Sequence, residues 1–299
     1  MSKQDNVIKG MVAGLGAFFM LSVMNVFAKM LSETHSVIEI AFYRNLIATL
    51  PFLIWIFCFG RHDILKINSK PVSIGMRSVI GTVSLITTFA AFAAMPMADT
   101  TAFLFTASLF IPVLGIIFLK ETVGPYRWGA VIIGFIGVVI MLNPTGEINS
   151  LGVTLALSAA FMHAVLQTIL RHLGKYEKPE TVTFYFVLIG TIVAALPLPF
   201  VAVPPTVEEI PLLFAVGLSG ALAQFLLSIA FSNAPAAVVT VFNYSGIIWA
   251  TIFGWMIWQE WPAHAIWIGG SIVIASNIFM IWRESRKGKV TGDRVRAKL

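Results

Sequence analysis

The chain has 299 residues, of which 58% are hydrophobic and 11% are charged, and its formal net charge is +6. About a quarter of the residues in a typical soluble domain are charged, so this composition excludes a water-soluble protein of this length. The single cysteine, Cys58, excludes an intramolecular disulfide and a cysteine-based metal site. We expect no metal and no cofactor.

Ten mostly apolar runs follow one another along the chain, each close to the roughly 20 residues that a membrane-crossing helix needs. The runs are continuous rather than alternating, which favours helices over a barrel. The sequence therefore predicts an all-α integral membrane protein whose ten transmembrane helices cover residues 8–31, 36–58, 72–94, 98–120, 126–143, 150–172, 181–203, 209–231, 236–258 and 262–282.

Positive charge is confined to one side of this predicted bundle. With the N-terminus in the cytoplasm, 17 of the 20 Lys and Arg residues fall in cytoplasmic segments and none in the outer loops. This bias predicts that both termini are cytoplasmic. The basic charge therefore needs no nucleic-acid partner, and we expect the tail at 286–299 to face anionic lipid.

The two halves of the sequence resemble each other. Residues 91–128 align with residues 230–267 without a gap, in a register that we call the main repeat register, and nine of 38 positions are identical. Because each half holds five spans, the second half enters the membrane from the opposite side, as in carriers that alternate access around a midplane site. We divide the chain into a first five-helix repeat at 1–145, a second, inverted repeat at 146–285, and the tail.

Polar side chains inside spans are costly in hydrocarbon and tend to face a partner or a cavity. A slightly different register aligns the first spans of the halves; it places Lys29 on Arg171 and Asn25 on Gln167, and we call it the first-span register. Amides at equivalent positions of the two halves could contact the substrate in turn as the carrier opens to each side. The alternative is that each amide forms a hydrogen bond between helices, worth about 0.6 kcal/mol. We predict substrate contacts from spans one to four and six to nine, at Asn25, Asn45, Phe103, His163, Gln167, Gln224, Phe242, Asn243 and Tyr244.

The role of each of three further ionisable residues can be interpreted in two ways. Arg44, about eight residues into the second span, either has a structural role, paired with Glu39 or with helix-end carbonyls, or holds a carboxylate by two parallel hydrogen bonds, and we favour the structural role. Arg77 lies nearer the cytoplasmic end and is expected to snorkel. His163 is either a cavity donor or a packing histidine. No Asp or Glu lies mid-span, which favours neutral or zwitterionic substrates over cationic ones.

Local motifs add a resemblance to this plan. They are Glu39-Ile-Ala-Phe-Tyr-Arg44 in the second span, Lys120-Glu121 closing the fourth span after Pro112, and Gln259-Glu260 closing the ninth. Over nearly its whole length the chain resembles the drug/metabolite transporter superfamily, in its branch with two EamA domains. Thr251 stands where the family usually repeats Pro112, a local departure. The resemblance implies a metabolite exporter of the bacterial inner membrane, similar to the YddG-type exporters of aromatic and other amino acids.

We therefore predict a secondary transporter, not an enzyme, that moves aromatic and other neutral amino acids out of the cell by alternating access. The alternative is a carrier of S-adenosylmethionine, riboflavin or a nucleotide-like compound in the same fold. An intramembrane enzyme would need a clustered nucleophile, acid pair or metal site, and the five His residues show no i, i+4 pairing. A channel would need a carbonyl filter or a charged ring. The expected partners are a small-molecule substrate and the lipid bilayer, with the protein a monomer or, alternatively, a dimer.

Overall fold

The computed structural model describes residues 7–68, 71–119, 125–142, 149–173, 176–233 and 242–296. Within these ranges the chain is helical and contains no strand. A 3₁₀ turn covers His62–Leu65, and the α-helices are α1 (Val7–Leu31), α2 (Val37–Cys58), α3 (Pro71–Ala94), α4 (Met97–Leu104), α5 (Ala107–Leu119), α6 (Pro125–Leu142), α7 (Ser150–Leu173), α8 (Pro179–Ala195), α9 (Leu198–Val201), α10 (Ile210–Asn233), α11 (Ser245–Trp258) and α12 (His264–Arg296).

Length and composition show which helices suit a membrane. Five are long and apolar enough to cross one by themselves, namely Ile8–Leu31, Val37–Cys58, Pro71–Ala94, Ser150–Leu170 and Ile210–Leu227. The other predicted spans appear as shorter apolar helices at Met97–Ile111, Trp128–Met141, Glu180–Ala195, Ser245–Trp258 and His264–Phe279. The predicted fold class, an all-α membrane protein with ten transmembrane helices in two inverted repeats of five, is confirmed.

Helix boundaries repeat along the chain as the sequence does. In the main repeat register Ile210 falls on Pro71 and Asn233 falls on Ala94, so α3 and α10 begin and end at equivalent positions. The packing follows the same rule. α1 packs on α10 while α3 packs on α7, and α2 pairs with α8 while α6 pairs with α12. Exchanging the two halves leaves this set of neighbours unchanged, as an approximate two-fold axis requires.

The fourth span is broken rather than continuous as predicted. The break lies at Phe105–Thr106, where the Thr106 hydroxyl donates to the Phe103 carbonyl at 2.7 Å. The ninth span is broken at the equivalent place, where Ser245 donates to the Phe242 carbonyl at 2.6 Å. A hydroxyl that competes for a backbone carbonyl bends a helix. Discontinuous helices at membrane depth are a common feature of transporter binding sites.

Two helix ends also differ from the predicted spans. The seventh span was predicted over 181–203, but α8 stops at Ala195 because Pro197 and Pro199 lack the backbone donors that a helix needs. The tenth span was predicted to end at 282, and α12 continues to Arg296 through the basic tail. Both changes leave the number of spans as predicted.

Spans five and ten lie beside each other. A Cβ atom built on Gly137 would lie 2.7 Å from the carbonyl oxygen of Gly269, so the backbones of α6 and α12 approach closely at these two glycines. Small residues permit such close approach in membrane bundles. This arrangement leaves α1, α2, α8 and α10 to surround the cavity described next.

Candidate functional site

A half-open cavity of about 430 Å³ lies between α1, α2, α8 and α10. It is close to the end of the bundle at which α1 begins and α2 ends, which we call the terminal face; the other end is the opposite face. The walls are lined by Lys9, Pro51, Phe52, Trp55, Glu180, Thr183, Leu218, Ala221, Leu222, Gln224, Phe225, Ile229 and Asn233. This volume is in the range of small-molecule sites.

The cavity wall is mostly apolar and carries a few polar groups. Phe52, Trp55 and Phe225 supply aromatic surface, while Gln224 contributes an amide. Ring faces with scattered hydrogen-bonding groups fit a small organic molecule that has an apolar body and a polar end.

Gln224 is the predicted contact residue that lines this cavity. Asn45 is fully buried on α2, and its Oδ1 accepts a hydrogen bond of 2.8 Å from Arg44 Nη1. The Asn45 Nδ2 and the Asn25 Oδ1 are buried and have no hydrogen-bond partner among the described residues. Such atoms are costly in a membrane interior unless a ligand or water reaches them.

The other predicted contacts lie elsewhere. Phe103 is 1% exposed and packs in the hydrophobic core formed by α3 to α7 and α12, so it faces protein rather than a cavity. Phe242, Asn243 and Tyr244 are partly buried at the start of α11. On α7, His163 is partly buried and Gln167 is exposed. The structure therefore does not gather all nine predicted residues around one cavity.

Sequence reasoning overlooked the aromatic wall. Phe52 and Trp55 lie near the end of α2, where their apolar side chains look like ordinary lipid-facing or interfacial residues. Pro51 lies beside them in the cavity wall and gave the one available signal, because proline inside a span leaves a backbone carbonyl without its helical donor.

Arg44 and Arg77 differ from their sequence-based interpretations. Arg44 does not pair with Glu39 and lies with its guanidinium 5.7 Å from the Phe186 ring centroid. Glu39 instead approaches His35, with Oε2 at 3.2 Å from Nδ1. Arg77 does not snorkel: its guanidinium lies 4.1 Å from the same Phe186 centroid. Glu39 and Arg44 are five residues apart, whereas side chains that contact each other along a helix are three or four residues apart. The predicted Glu39–Arg44 pair is therefore disfavoured by helix geometry.

The opposite face is tied across the two halves by an ion pair. Lys29 Nζ lies 2.7 Å from Glu260 Oε1 and also donates to the Met95 carbonyl at 3.1 Å. Glu260 follows Gln259, whose φ of 56° ends α11 in the left-handed region. The pair lies above the Trp258 ring, 4.8 Å from Lys29 Nζ to the centroid. These contacts join the end of α1 to the end of α11.

A second polar cluster at the opposite face joins the α1–α2 loop to the start of α10. His35 Nε2 lies 3.1 Å from Glu209 Oε2. Thr34 Oγ1 donates to Glu209 at 2.7 Å, and the Thr206 backbone N–H and hydroxyl each donate at 2.8 Å. These donors, with the Thr206 backbone N–H contributing most, lower the pKa of the Glu209 carboxyl to about 2.

The terminal face has an equivalent link. Glu177 is the equivalent of His35 in the first-span register, and its Oε1 accepts a hydrogen bond of 2.7 Å from the Asn68 backbone N–H. The α7–α8 loop of the second half therefore holds the α2–α3 loop of the first half, just as the α1–α2 loop holds the start of α10. Within the described residues, no three His, Cys, Asp or Glu side chains are grouped as a metal site requires.

Known proteins resemble this chain over most of its length. A pseudopaline exporter of Pseudomonas aeruginosa is 29% identical, with 92% of this chain and 96% of the exporter covered. An S-adenosylmethionine uptake transporter of Rickettsia bellii is 27% identical over 94% of this chain and 98% of its own. A riboflavin transporter of Rhizobium johnstonii is 30% identical over 71% of this chain and 70% of its own.

A solved crystal structure superimposes with a TM-score of 0.63, covering 90% of this chain and 96% of the matched one at 16% identity, which shows the fold alone. The family model for the EamA-like transporter family matches residues 8–143 and again residues 150–282. The chain therefore belongs to the EamA-like transporter family of the drug/metabolite transporter superfamily, and it is a multi-pass bacterial membrane protein that transports small metabolites rather than an enzyme.

Proposed function

We propose that this transporter exports aromatic and other neutral amino acids by alternating access. The observation that carries the proposal is the aromatic and amide-bearing cavity on the terminal side of the bundle. On the other side, the ends of α1 and α11 are held together by Lys29 and Glu260. An ion pair that joins the halves at the face away from the cavity suits a carrier that exposes one face at a time.

Transport in this scheme requires the two halves to rock about the axis that relates them. Opening the opposite face separates Lys29 from Glu260, and closing the terminal face brings the walls of the cavity together. The helix breaks in spans four and nine lie at equivalent positions in the halves and supply places where backbone direction can change. Hinges are usually a few element-terminal residues of this kind.

The substrate contacts are proposed in three groups. Gln224, Asn25 and Asn45 meet the polar end of the substrate from α10, α1 and α2. His163 and Gln167 on α7 meet it when the other half forms the wall, because Gln167 is the equivalent of Asn25 in the first-span register. Around the helix break of span nine the remaining proposed contacts are Phe242, Asn243 and Tyr244.

The charge distribution supports the proposed orientation. With 17 of 20 Lys and Arg residues on the terminal side, we place that face and both termini in the cytoplasm. A cavity on the terminal side then loads from the cytoplasm, as an exporter requires. The division into repeats at 1–145 and 146–285, with a basic cytoplasmic tail at 286–299, belongs to the same proposal, as does a monomeric state.

A second candidate is a carrier of another metabolite in the same fold. The names of the relatives favour it, since they include an S-adenosylmethionine uptake transporter and a riboflavin transporter. Both are named for compounds other than amino acids, and one is named for uptake.

Counterflow in proteoliposomes tests the proposal. Vesicles loaded with unlabelled amino acids are diluted into labelled phenylalanine, with and without a pH gradient. Uptake that saturates and depends on the internal amino acid supports an amino-acid carrier. If folded protein gives no uptake, while vesicles loaded with riboflavin or S-adenosylmethionine exchange their labelled forms, the second candidate replaces the first.

A further inference from the structure

We propose that Arg44 and Arg77 form a subsite for a carboxylate group of the substrate, and that Phe186 covers this subsite when no substrate is bound. The inference rests on the proposed function and deepens it, because it names the substrate group that the carrier recognises. The three side chains come from α2, α3 and α8, so the subsite joins the two halves of the protein.

Both guanidinium groups have buried nitrogen atoms without hydrogen-bond partners among the described residues, although Arg77 as a whole is only partly buried. Arg44 is 2% exposed, and its one hydrogen bond to a side chain goes to the neutral amide of Asn45. Its Nε has no hydrogen-bond partner among the described residues, and the same is true of Nε and Nη1 of Arg77. A buried cation is stable when an opposite charge or a full set of acceptors surrounds it.

No described carboxylate supplies that charge. The acid nearest along α2 is Glu39, whose Oε2 accepts from the Val203 backbone N–H at 3.2 Å and lies beside His35. The Phe186 ring faces both guanidinium groups, at 4.1 Å from Arg77 and 5.7 Å from Arg44. An aromatic ring attracts a cation but accepts none of the directed hydrogen bonds that a guanidinium fork offers.

Two glycines leave room for Arg44 and Phe186 between the helices. Gly81 and Gly220 are equivalent residues of the two repeats. A Cβ on Gly220 would lie 2.9 Å from Arg44 Nε, and a Cβ on Gly81 would lie 2.9 Å from the Phe186 ring. Each repeat therefore contributes one glycine whose missing side chain leaves space, Gly220 for Arg44 and Gly81 for Phe186.

The subsite borders the cavity through the residue that covers it. Phe186 packs in one cluster with Phe52 and Ala221, and both of these line the cavity wall. A rotation of the Phe186 ring would connect the cavity with the guanidinium groups. A carboxylate fits them because its two oxygens accept parallel hydrogen bonds from a guanidinium fork. In an amino-acid substrate, the side chain would then remain against the aromatic wall.

Ligand binding to the purified full-length protein tests the subsite separately from transport. The probes are benzoate and its neutral isostere benzamide, phenylalanine and its amide, and inorganic phosphate. Their affinities are measured from the concentration dependence of the melting temperature in detergent. We expect the two carboxylates to bind and their amides to bind at least about tenfold more weakly, because a charged hydrogen-bond partner is lost.

Arg44→Gln and Arg77→Gln should each weaken carboxylate binding at least about tenfold. Lys178→Gln, which removes an exposed cation paired with Asp63, should leave it unchanged. If the Gln variants do not fold, Arg44→Lys and Arg77→Lys replace them, since lysine keeps the charge and loses the fork. Phe186→Leu should bind carboxylates at least as tightly as the wild type.

Each outcome separates the subsite from the transport proposal. Equal affinity for benzoate and benzamide, or unchanged carboxylate affinity in the arginine variants, overturns the subsite even if phenylalanine is transported. Stabilisation by phosphate alone overturns the assignment to a carboxylate. Arginine-dependent carboxylate binding without phenylalanine counterflow supports the subsite and overturns amino-acid export.

Discussion

The rings of Phe105 and Tyr244 contact each other edge to face, with their centroids 5.3 Å apart. Tyr244 falls on Phe105 in the main repeat register, so the two are equivalent residues of the two halves. Each stands at the helix break of its own half. Equivalent residues that touch must lie on the axis relating the halves, so this contact marks that axis. Any rocking of the halves pivots about or repacks these rings.

Glu260→Gln should loosen the opposite face. The substitution leaves the Lys29 ammonium, whose side chain is 10% exposed, with a neutral acceptor. We expect a loss of about 1–3 kcal/mol in the free energy of unfolding, between the values for surface and buried pairs. Unfolding in detergent with increasing denaturant measures the loss. The conformational effect is read from labelling of Asn25→Cys in a Cys58→Ser background, which should become faster from the opposite face.

The matched control for this pair is the double variant Lys29→Met with Glu260→Met. Two apolar residues leave no uncompensated charge, so stability should recover relative to Glu260→Gln. Unchanged stability and unchanged labelling in Glu260→Gln would show that the ion pair does not hold the halves together.

Hydropathy predicts which segments cross the membrane, and the internal repeat predicts the symmetry that relates the two halves. Together they therefore predict most of this fold. They could not assign a partner to Arg44, since Phe186 lies in the other half of the sequence and no charge marks it. They also missed Phe52 in the cavity wall and placed Phe103 there instead, although it lies in a packed core. Lipid, protein core and cavity walls are all apolar in a membrane protein, so composition along a helix does not tell which surface a side chain faces.

Gly220→Ala should destabilise the protein, whereas Gly75→Ala should not. The new Cβ at Gly220 would lie 2.9 Å from Arg44 Nε and 3.0 Å from Met24 Sδ, while a Cβ at Gly75 meets nothing within 4 Å. Overpacking of this kind costs about 1–3 kcal/mol. At Gly75, alanine should raise stability by up to about 1 kcal/mol, because glycine is unfavourable within a helix.

The comparison is made by measuring the free energy of unfolding of both variants in the same detergent. Because Gly81 is the equivalent residue and faces Phe186, Gly81→Ala should behave like Gly220→Ala. Equal stability of Gly220→Ala and Gly75→Ala would mean that Arg44 moves aside freely and is not held in its position.

The lowered pKa of Glu209 predicts a loss of stability in acid. The pKa of Glu209 is lowered to about 2 from an ordinary 4.5, so its stabilising contribution is complete above pH 4.5. That contribution is lost as the pH falls from 4.5 towards 2, because the carboxylate must take up a proton. Melting temperatures of the wild type and Glu209→Gln should therefore converge as the pH falls below 4.5. A difference that persists undiminished at pH 3 would contradict the assignment.

His163→Ala and Gln167→Ala should each lower phenylalanine flux about tenfold or more in reconstituted vesicles, with the yield of folded protein unchanged. The reason is that a polar substrate group in a site of low dielectric loses a hydrogen bond of about 1–2 kcal/mol with either side chain. Thr154→Ala is the matched control on the same helix, since the Thr154 hydroxyl is exposed and returns to the Ser150 carbonyl at 2.8 Å. Flux is compared at equal amounts of reconstituted protein. Wild-type flux in both variants would remove the His163 and Gln167 side chains from the proposed substrate contacts.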